Sequence, residues 1–370
     1  MKIVCYKEEL LKGINTVMKA IPTRTTMPIL NCILVQAYNG VIKLTANDME
    51  LGIETMIAGD IIEQGKIALD SRIFSEMIKK LPDNDITIES EDVRYNTMIS
   101  CENACYTIKG KDGDEFTGLP SVDKSSYISI TQFNLKEIIR QTIFSISMSL
   151  NNKMMSGELL EVHGNQLRMV SLDGFRISIR NIELKDNYGD VKVVIPGKTL
   201  NEISKILNGD AEAEVLIYFS KNHVLFEFDD TVVVSRLIEG EYFKISHILN
   251  GDYETKVTVH KKDLYGCIDR STLMIKENDK KPIIFSITDD KIELKLTAAI
   301  GSLEDKVDVE KTGRDQMIGF NPRYIMDALR VIDDEDITLY ILNSKVPCFI
   351  KDEKESYIYL IVPINFSTPV

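Results

Sequence analysis

Histidine is scarce in this chain of 370 residues, with four in all, and that scarcity removes many catalytic schemes at once. His163, His223, His247 and His260 stand apart, none in an H-x-x-x-H pair or beside a nucleophile elbow. The six cysteines, Cys5, Cys32, Cys101, Cys105, Cys267 and Cys348, are scattered as well. Cys101 and Cys105 lack C-x-x-C spacing and have no second pair or nearby histidine to complete a metal site. All six read as reduced thiols, and no metal or other cofactor is expected. Also missing is any run of about eighteen apolar residues, the length a helix needs to cross a bilayer. The chain opens on a charged stretch and not on a signal peptide. A soluble, cytoplasmic protein without membrane contact is expected.

One motif invites an enzymatic reading. Gly197-Lys198-Thr199 follows the apolar run Val191 to Ile195 and precedes a helical stretch, the setting of a phosphate-binding loop. The first glycine of that loop would fall at position 192, which is Lys192. Without it the backbone amides cannot fold round a phosphate. Acidic pairs such as Asp289-Asp290 and Asp333-Asp334 lie in turns, where solvated carboxylates are ordinary. Asn365-Phe366-Ser367 has the glycosylation pattern, idle in a chain that is not exported. No catalytic residue is expected.

What the chain does have is repetition. Residues 66 to 92 recur in grammar at 192 to 218 and at 316 to 341: an apolar run, a turn, an amphipathic helix, an acidic turn and a strand. A basic residue at each helix start, Arg72, Lys198 and Arg323, sets the period at about 125 residues. From it the apolar positions fall at Phe74, Met77, Ile78 and Leu81, at Leu200, Ile203 and Leu207, and at Ile325, Ala328, Leu329 and Ile332. This is the stripe of a helix with one buried face. Further helices are predicted upstream, at about 7–19, 131–144 and 260–274. Turn residues at Asn39-Gly40, Gly164-Asn165 and Asp289-Asp290 introduce strands, and each unit closes on a strand pair. The fold class is therefore α+β, three tandem domains of two helices plus antiparallel sheets. Linkers near 119–126 and 238–255 place the domains at 1–121, 127–246 and 252–370, a comfortable size for one core each.

Charge is unevenly spread. The chain carries −13, yet each of the six predicted helices has an excess of Lys and Arg. A positive helical surface facing a polyanion, backed by an acidic exterior, accounts for that division.

With these features in place, the chain resembles the bacterial DNA polymerase III beta subunit, the replicative sliding clamp, along its whole length. The residues that carry the resemblance are Arg24-x-x-Met27-Pro28-Ile29-Leu30, Leu44-Thr45-Ala46-Asn47-Asp48-Met49-Glu50, Leu172-Asp173-Gly174-Phe175-Arg176, Ile195-Pro196-Gly197-Lys198, Gly319-Phe320-Asn321-Pro322-Arg323-Tyr324 and Tyr359-Leu360-Ile361-Val362-Pro363-Ile364. The resemblance implies three DNA-clamp domains per protomer and two protomers closed head to tail into a six-domain ring. That ring encircles duplex DNA without reading sequence and has no catalytic activity. It acts as a processivity factor for the polymerase catalytic subunit, the clamp loader and repair proteins, which it holds by short linear motifs of the kind Gln-Leu-x-Leu-Phe.

By the same resemblance Arg24 and Lys198 contact the duplex backbone, with Arg72, Lys136, Arg140 and Arg323 added from charge position. An apolar pocket for the partner peptide is carried over to Met155, Leu172, Phe175, Ile177, Phe243, Ile248, Tyr324, Pro347, Leu360, Val362, Pro363 and Ile364. The dimer contact is expected to centre on Tyr106 and Ile108 on one side and Leu273 and Met274 on the other. The chain departs from the family pattern at Asn152-Lys153-Met154-Met155, where an Arg-Pro-Ile/Leu-Leu run is common. Phe175 stands for a frequent histidine, and Ser367 to Val370 extend the usual end.

Overall fold

The computed structural model describes residues 1–91, 94–147, 149, 152–249, 252–275 and 281–366. The terminal extension at 367–370 and positions 250 and 251 of the second linker lie outside them.

The predicted amphipathic stripes become buried helix faces. Helix α1 (Lys7–Val17) buries Leu10, Gly13, Ile14 and Val17, and α2 (Ser71–Lys80) buries Phe74 and Ile78 together with Ser71 and Ser75. Gly13 is required by closeness: a methyl group there would lie 2.5 Å from Ile57 Cγ2 and 2.9 Å from Leu44 Cδ1. Helix α2 starts on Asp70, whose carboxylate accepts from the Ile73 amide at 3.0 Å, satisfying one of the amides that a helix start leaves open.

Helix α3 (Gln132–Arg140) ends sooner than its apolar pattern predicts. The Thr142 hydroxyl bonds back to the Ile138 carbonyl at 2.7 Å, and the chain continues as a 3-10 turn, Ile143–Ser145. Helix α4 (Gly197–Ile206) carries fully buried Leu200 and Ile203. The short α5 (Ser246–Leu249) is followed by α6 (Lys261–Thr272) and α7 (Pro322–Val331). The Asn321 side chain and Pro322 open α7, which buries Ile325, Ala328 and Leu329.

By compactness the chain divides into two units. The first comprises Met1–Leu135 and Glu202–Leu237, the second Lys136–Asn201 and Ile238–Val370. The cut passes through the middle repeat because the repeats are joined strand to strand. In the first unit, Thr231–Arg236 of the second repeat pairs antiparallel with Leu51–Ile57 of the first, completing a nine-stranded sheet. A separate five-stranded sheet there ends on the strand Ala104–Lys109. In the second unit, Tyr357–Ile361 of the third repeat pairs with Arg176–Arg180 of the second inside a ten-stranded sheet.

Two turn predictions have different outcomes. Asn39 and Gly40 take positive φ values of 52° and 79° in a two-residue hairpin, whereas Gly164 lies at an irregularity within the long strand Gly157–Leu172. A positive φ serves a bulge as well as a turn, and the local sequence does not separate them.

Candidate nucleic-acid and peptide surfaces

The structure sorts the cations expected at DNA. Arg24 is exposed on the bend before the 3-10 turn Pro28–Asn31. Arg72, Lys198 and Arg323 are exposed in the first turns of α2, α4 and α7. A cation there opposes the helix dipole by about 0.3–1 kcal/mol, so helix stability does not explain a basic residue at all three starts. Arg24, Arg72 and Arg323 have no ion-pair partner among the described residues. Lys136 is half-buried on α3.

Arg140 does not fit the set. Its guanidinium meets Glu137 at 2.6 Å and Asp333 at 3.1 Å, so its charge is compensated. The uniform excess on six helices also weakens. Lys19 falls in the 3-10 turn Met18–Ala20, leaving α1 neutral. Within the helices Lys79, Lys205 and Arg330 pair with Glu76, Glu202 and Asp327.

The predicted peptide residues converge within the second unit. Leu172, Ile177 and Leu360 belong to one buried cluster with Leu159, Val170 and Ile245, and Met155 and Val362 pack against it. At 5%, 8% and 2% exposure, Leu172, Ile177 and Leu360 form a floor and do not line an open wall. The open part is aromatic and aliphatic. Phe175 is 56% exposed and stacks on Tyr324 with ring centroids 6.2 Å apart. Phe243 and Ile248 are also exposed, Phe243 against the edge of Tyr242.

The chain end is fastened beside them: the Val362 amide donates to the Phe175 carbonyl and the Ile364 amide to Gly319, each at 2.8 Å. Gly319 is needed for that approach, because a methyl group there would lie 2.8 Å from both the Ile364 carbonyl and Phe366. Pro347 and Pro363 are half-buried in adjoining chain and are not members of the cluster.

Of the expected dimer residues, Tyr106 and Ile108 are half-buried on the edge strand Ala104–Lys109. Leu273 is 80% exposed, and Met274 packs partly onto the core of the third repeat. The Met274 methyl lies 3.9 Å from where a Cβ on Gly301 would stand.

The profile for the N-terminal domain of the DNA polymerase III beta subunit matches residues 1–120, that for the central domain 129–244 and that for the C-terminal domain 246–365. The chain belongs to the DNA polymerase III beta subunit family. It is 32% identical over 376 residues to a beta sliding clamp of Staphylococcus aureus, covering 99% of both chains. Among solved structures, a DNA polymerase III beta subunit from Eubacterium rectale is 58% identical with a TM-score of 0.96. The DNA polymerase sliding clamp of Bacillus subtilis is 30% identical, also at 0.96; each alignment covers 99% of this chain and 100% of the other. The fold is thus three tandem clamp domains, α+β with antiparallel sheets.

Within this clamp family chain, Arg176 stands among the predicted peptide residues without having been one of them. Its guanidinium contacts Asp173 at 3.0 Å, Asp327 at 2.6 Å and the Phe144 carbonyl at 2.6 Å, and lies 4.5 Å from the Tyr324 ring centre. It holds the turn bearing Phe175 and the helix bearing Tyr324 to one charge. Partners so distant in sequence leave no local signal. Met154, Ile238, Leu249 and Phe349 pack on the same cluster and were not among the expected residues, since a single apolar residue does not announce what it touches.

Proposed function

We propose that two copies of this chain close head to tail into a ring around duplex DNA, with clamp domains at 1–121, 127–246 and 252–370. The ring works in the cytoplasm as a non-catalytic processivity factor. The observation that carries this is the strand join. Inside the chain, each later repeat adds its closing strand to the preceding repeat, Thr231–Arg236 to Leu51–Ile57 and Tyr357–Ile361 to Arg176–Arg180. Two edges are left over. The closing strand of the first repeat, Ala104–Lys109, pairs among the described residues only with Asn96–Cys101. In the third repeat, residues 301–308 pair among the described residues only with Lys291–Ala298, while the other partner of that strand, Thr255–His260, covers 309–313. Open edges invite pairing, and a two-fold pair of head-to-tail contacts uses both. Leu273 and Met274 beside Gly301, with Ile300 at 66% exposure, supply apolar surface for Tyr106 and Ile108 of the second copy.

DNA contact falls to Arg24, Arg72, Lys136, Lys198 and Arg323, and least to Arg140. Phosphate contacts without base readout suit a clamp that must slide. The cluster around Leu172, Phe175 and Val362 takes short apolar motifs of the polymerase catalytic subunit, the clamp loader and repair proteins, an interaction by extended peptide in a groove.

The test compares retention after loading on nicked circular and on linearised DNA. Protein is expected to stay on circles and run off linear ends, and Ile108→Asp to give monomers that are retained on neither. Equal, salt-sensitive loss of the parent from both forms sinks the ring.

A further inference from the structure

Behind the groove's floor lies a buried polar layer made from the opposite faces of the same strands. Leu159 joins the apolar cluster, while Glu158 before it is 0% exposed on the other side. Ser171 alternates with Leu172, and Ser178 with Ile177, as strand geometry requires. These hydroxyls hold the chain that follows α3. Ser171 Oγ donates to the Thr142 carbonyl at 2.5 Å, and Ser178 Oγ shares a proton with Ser145 Oγ at 2.5 Å.

A count of protons favours a neutral Glu158. Thr142 Oγ1 lies 2.7 Å from the Ile138 carbonyl and 2.6 Å from Glu158 Oε2. A hydroxyl has one proton, so Thr142 can donate to the Ile138 carbonyl or to Glu158 but not to both, whereas a protonated Glu158 lets all three groups be satisfied at once. Beside an ionised Glu158, one of the two acceptors goes without a proton. A neutral Glu158 donates its own proton to Thr142 instead. Its second oxygen, Oε1, is buried without a hydrogen-bond partner among the described residues, tolerable for a neutral acid and costly for an anion.

Burial lifts its ionisation from 4.5 to about 8. The titratable neighbour is Tyr242, whose hydroxyl donates to the Val170 carbonyl at 3.3 Å. The charges on the adjacent elements are taken, Arg140 by Glu137 and Asp333 and Lys192 by Glu161.

We propose that Glu158 is a positioning residue for the peptide groove: its proton ties the strand carrying Leu159 to Thr142, and losing that proton loosens the floor and weakens peptide binding. This rests on the groove being the peptide site. A carboxyl held protonated in the fold stabilises it fully below the unfolded value of 4.5, and that stability is lost as pH rises towards 8, beyond which both states are ionised. Glu158→Gln keeps a donor for Thr142 and has no proton to lose.

The experiment uses the full chain and a labelled Gln-Leu-Ser-Leu-Phe peptide, with melting temperature, peptide affinity and the carboxyl carbon shift of Glu158 followed against pH. The parent's affinity is expected to fall at least about threefold as Glu158 ionises, while Glu158→Gln changes little. The variant's melting advantage should grow up to pH 8 and then level. Equal pH dependence in both proteins, or a carboxyl signal already ionised at neutral pH, overturns the proposal. The carboxyl signal of the parent decides even where the variant does not fold. If the parent binds no peptide at any pH, the groove reading fails, and the melting difference and carboxyl signal still support or overturn the role of the proton in the floor.

Discussion

The two strand joins inside this chain use the same part of the repeat and end in opposite surfaces. At both, an aspartate folds the turn before the joining strand: Asp48 Oδ1 accepts from the Glu50 and Leu51 amides, and Asp173 Oδ1 from Phe175 and Arg176. At both, the closing strand of the next repeat docks by the same bond, Arg236 amide to Glu50 carbonyl in one and Val362 amide to Phe175 carbonyl in the other. Register then equates Asn47 with Leu172, Gly52 with Ile177 and Val234 with Leu360.

The first join therefore has Asn47, Glu50, Gly52 and Arg236 where the second has Leu172, Phe175, Ile177 and Val362. The consequence is physical. Gly52 leaves room that the linker fills with Leu119, and the Asn47 amide fastens the linker by donating to the Thr117 carbonyl at 3.3 Å. Ile177 fills that room itself, and the neighbouring Phe175, Phe243 and Ile248 remain exposed. Backbone topology makes a join, and four side chains decide whether a linker covers it or aromatic side chains stay exposed on it.

The largest effect should come from Arg176, whose counterpart Leu51 is an apolar core residue 1% exposed. Arg176→Ala leaves Asp173 without its cation and Asp327 with only the longer contact to Arg330, in a site where the arginine side chain is 11% exposed. Removing one member of such a buried set costs about 3–5 kcal/mol. Urea unfolding is expected to show that loss, with peptide affinity falling too as Phe175 and Tyr324 lose their common support. Arg176→Lys should recover less than half, because an ammonium cannot bridge two carboxylates and a carbonyl as the planar guanidinium does. A change below about 1 kcal/mol for Arg176→Ala would show that the second join does not depend on this charge.

A smaller effect is expected at the first join. Gly52→Val puts methyl groups where Leu119 sits, and overpacking of this kind costs about 1–3 kcal/mol. Leu119 belongs to a half-exposed linker, so strain is relieved by expelling it. The readout is limited proteolysis, with faster cleavage expected between 117 and 126 and a lowered melting temperature. Unchanged cleavage would mean that Leu119 does not depend on Gly52 for its place.

How much of this was legible beforehand follows the range of each interaction. The helices α2, α4 and α7 were readable because a stripe such as Leu200 and Ile203 is local and burial obeys it. The end of α3 was not, since Ile143 and Phe144 continue the apolar pattern and what stops the helix is Thr142 turning to Ile138 and being held by Ser171. Net charge by segment was readable, but compensation was not: Arg140 looks like a free cation until Asp333 arrives from another repeat. The groove residues came through resemblance, and the closed state of the first join rests on Gly52, which in sequence is one more glycine in a strand.

The smallest effect in free energy is the most direct test of the contrast. Val362 and Ile364 are half-buried at the end of the second join, where their amides are hydrogen-bonded and Val362 packs on the rim of the cluster. Replacing both by Asp should therefore leave the chain folded while putting two charges where a peptide's apolar side chains would dock. Each such side chain contributes about 1.5–3 kcal/mol when buried, before ordering costs are subtracted, so micromolar affinity is expected for the parent and a loss of at least about tenfold, or 1.4 kcal/mol, for the variant. The proposed dimer contacts do not involve these residues, so dimer mass should be unchanged. Titration calorimetry also counts sites: one peptide per parent chain is expected, because Leu119 occupies the equivalent place at the first join. Two peptides per chain, with one surviving in the double Asp variant, would mean that the first join opens in solution and that Asn47, Glu50, Gly52 and Arg236 do not close it.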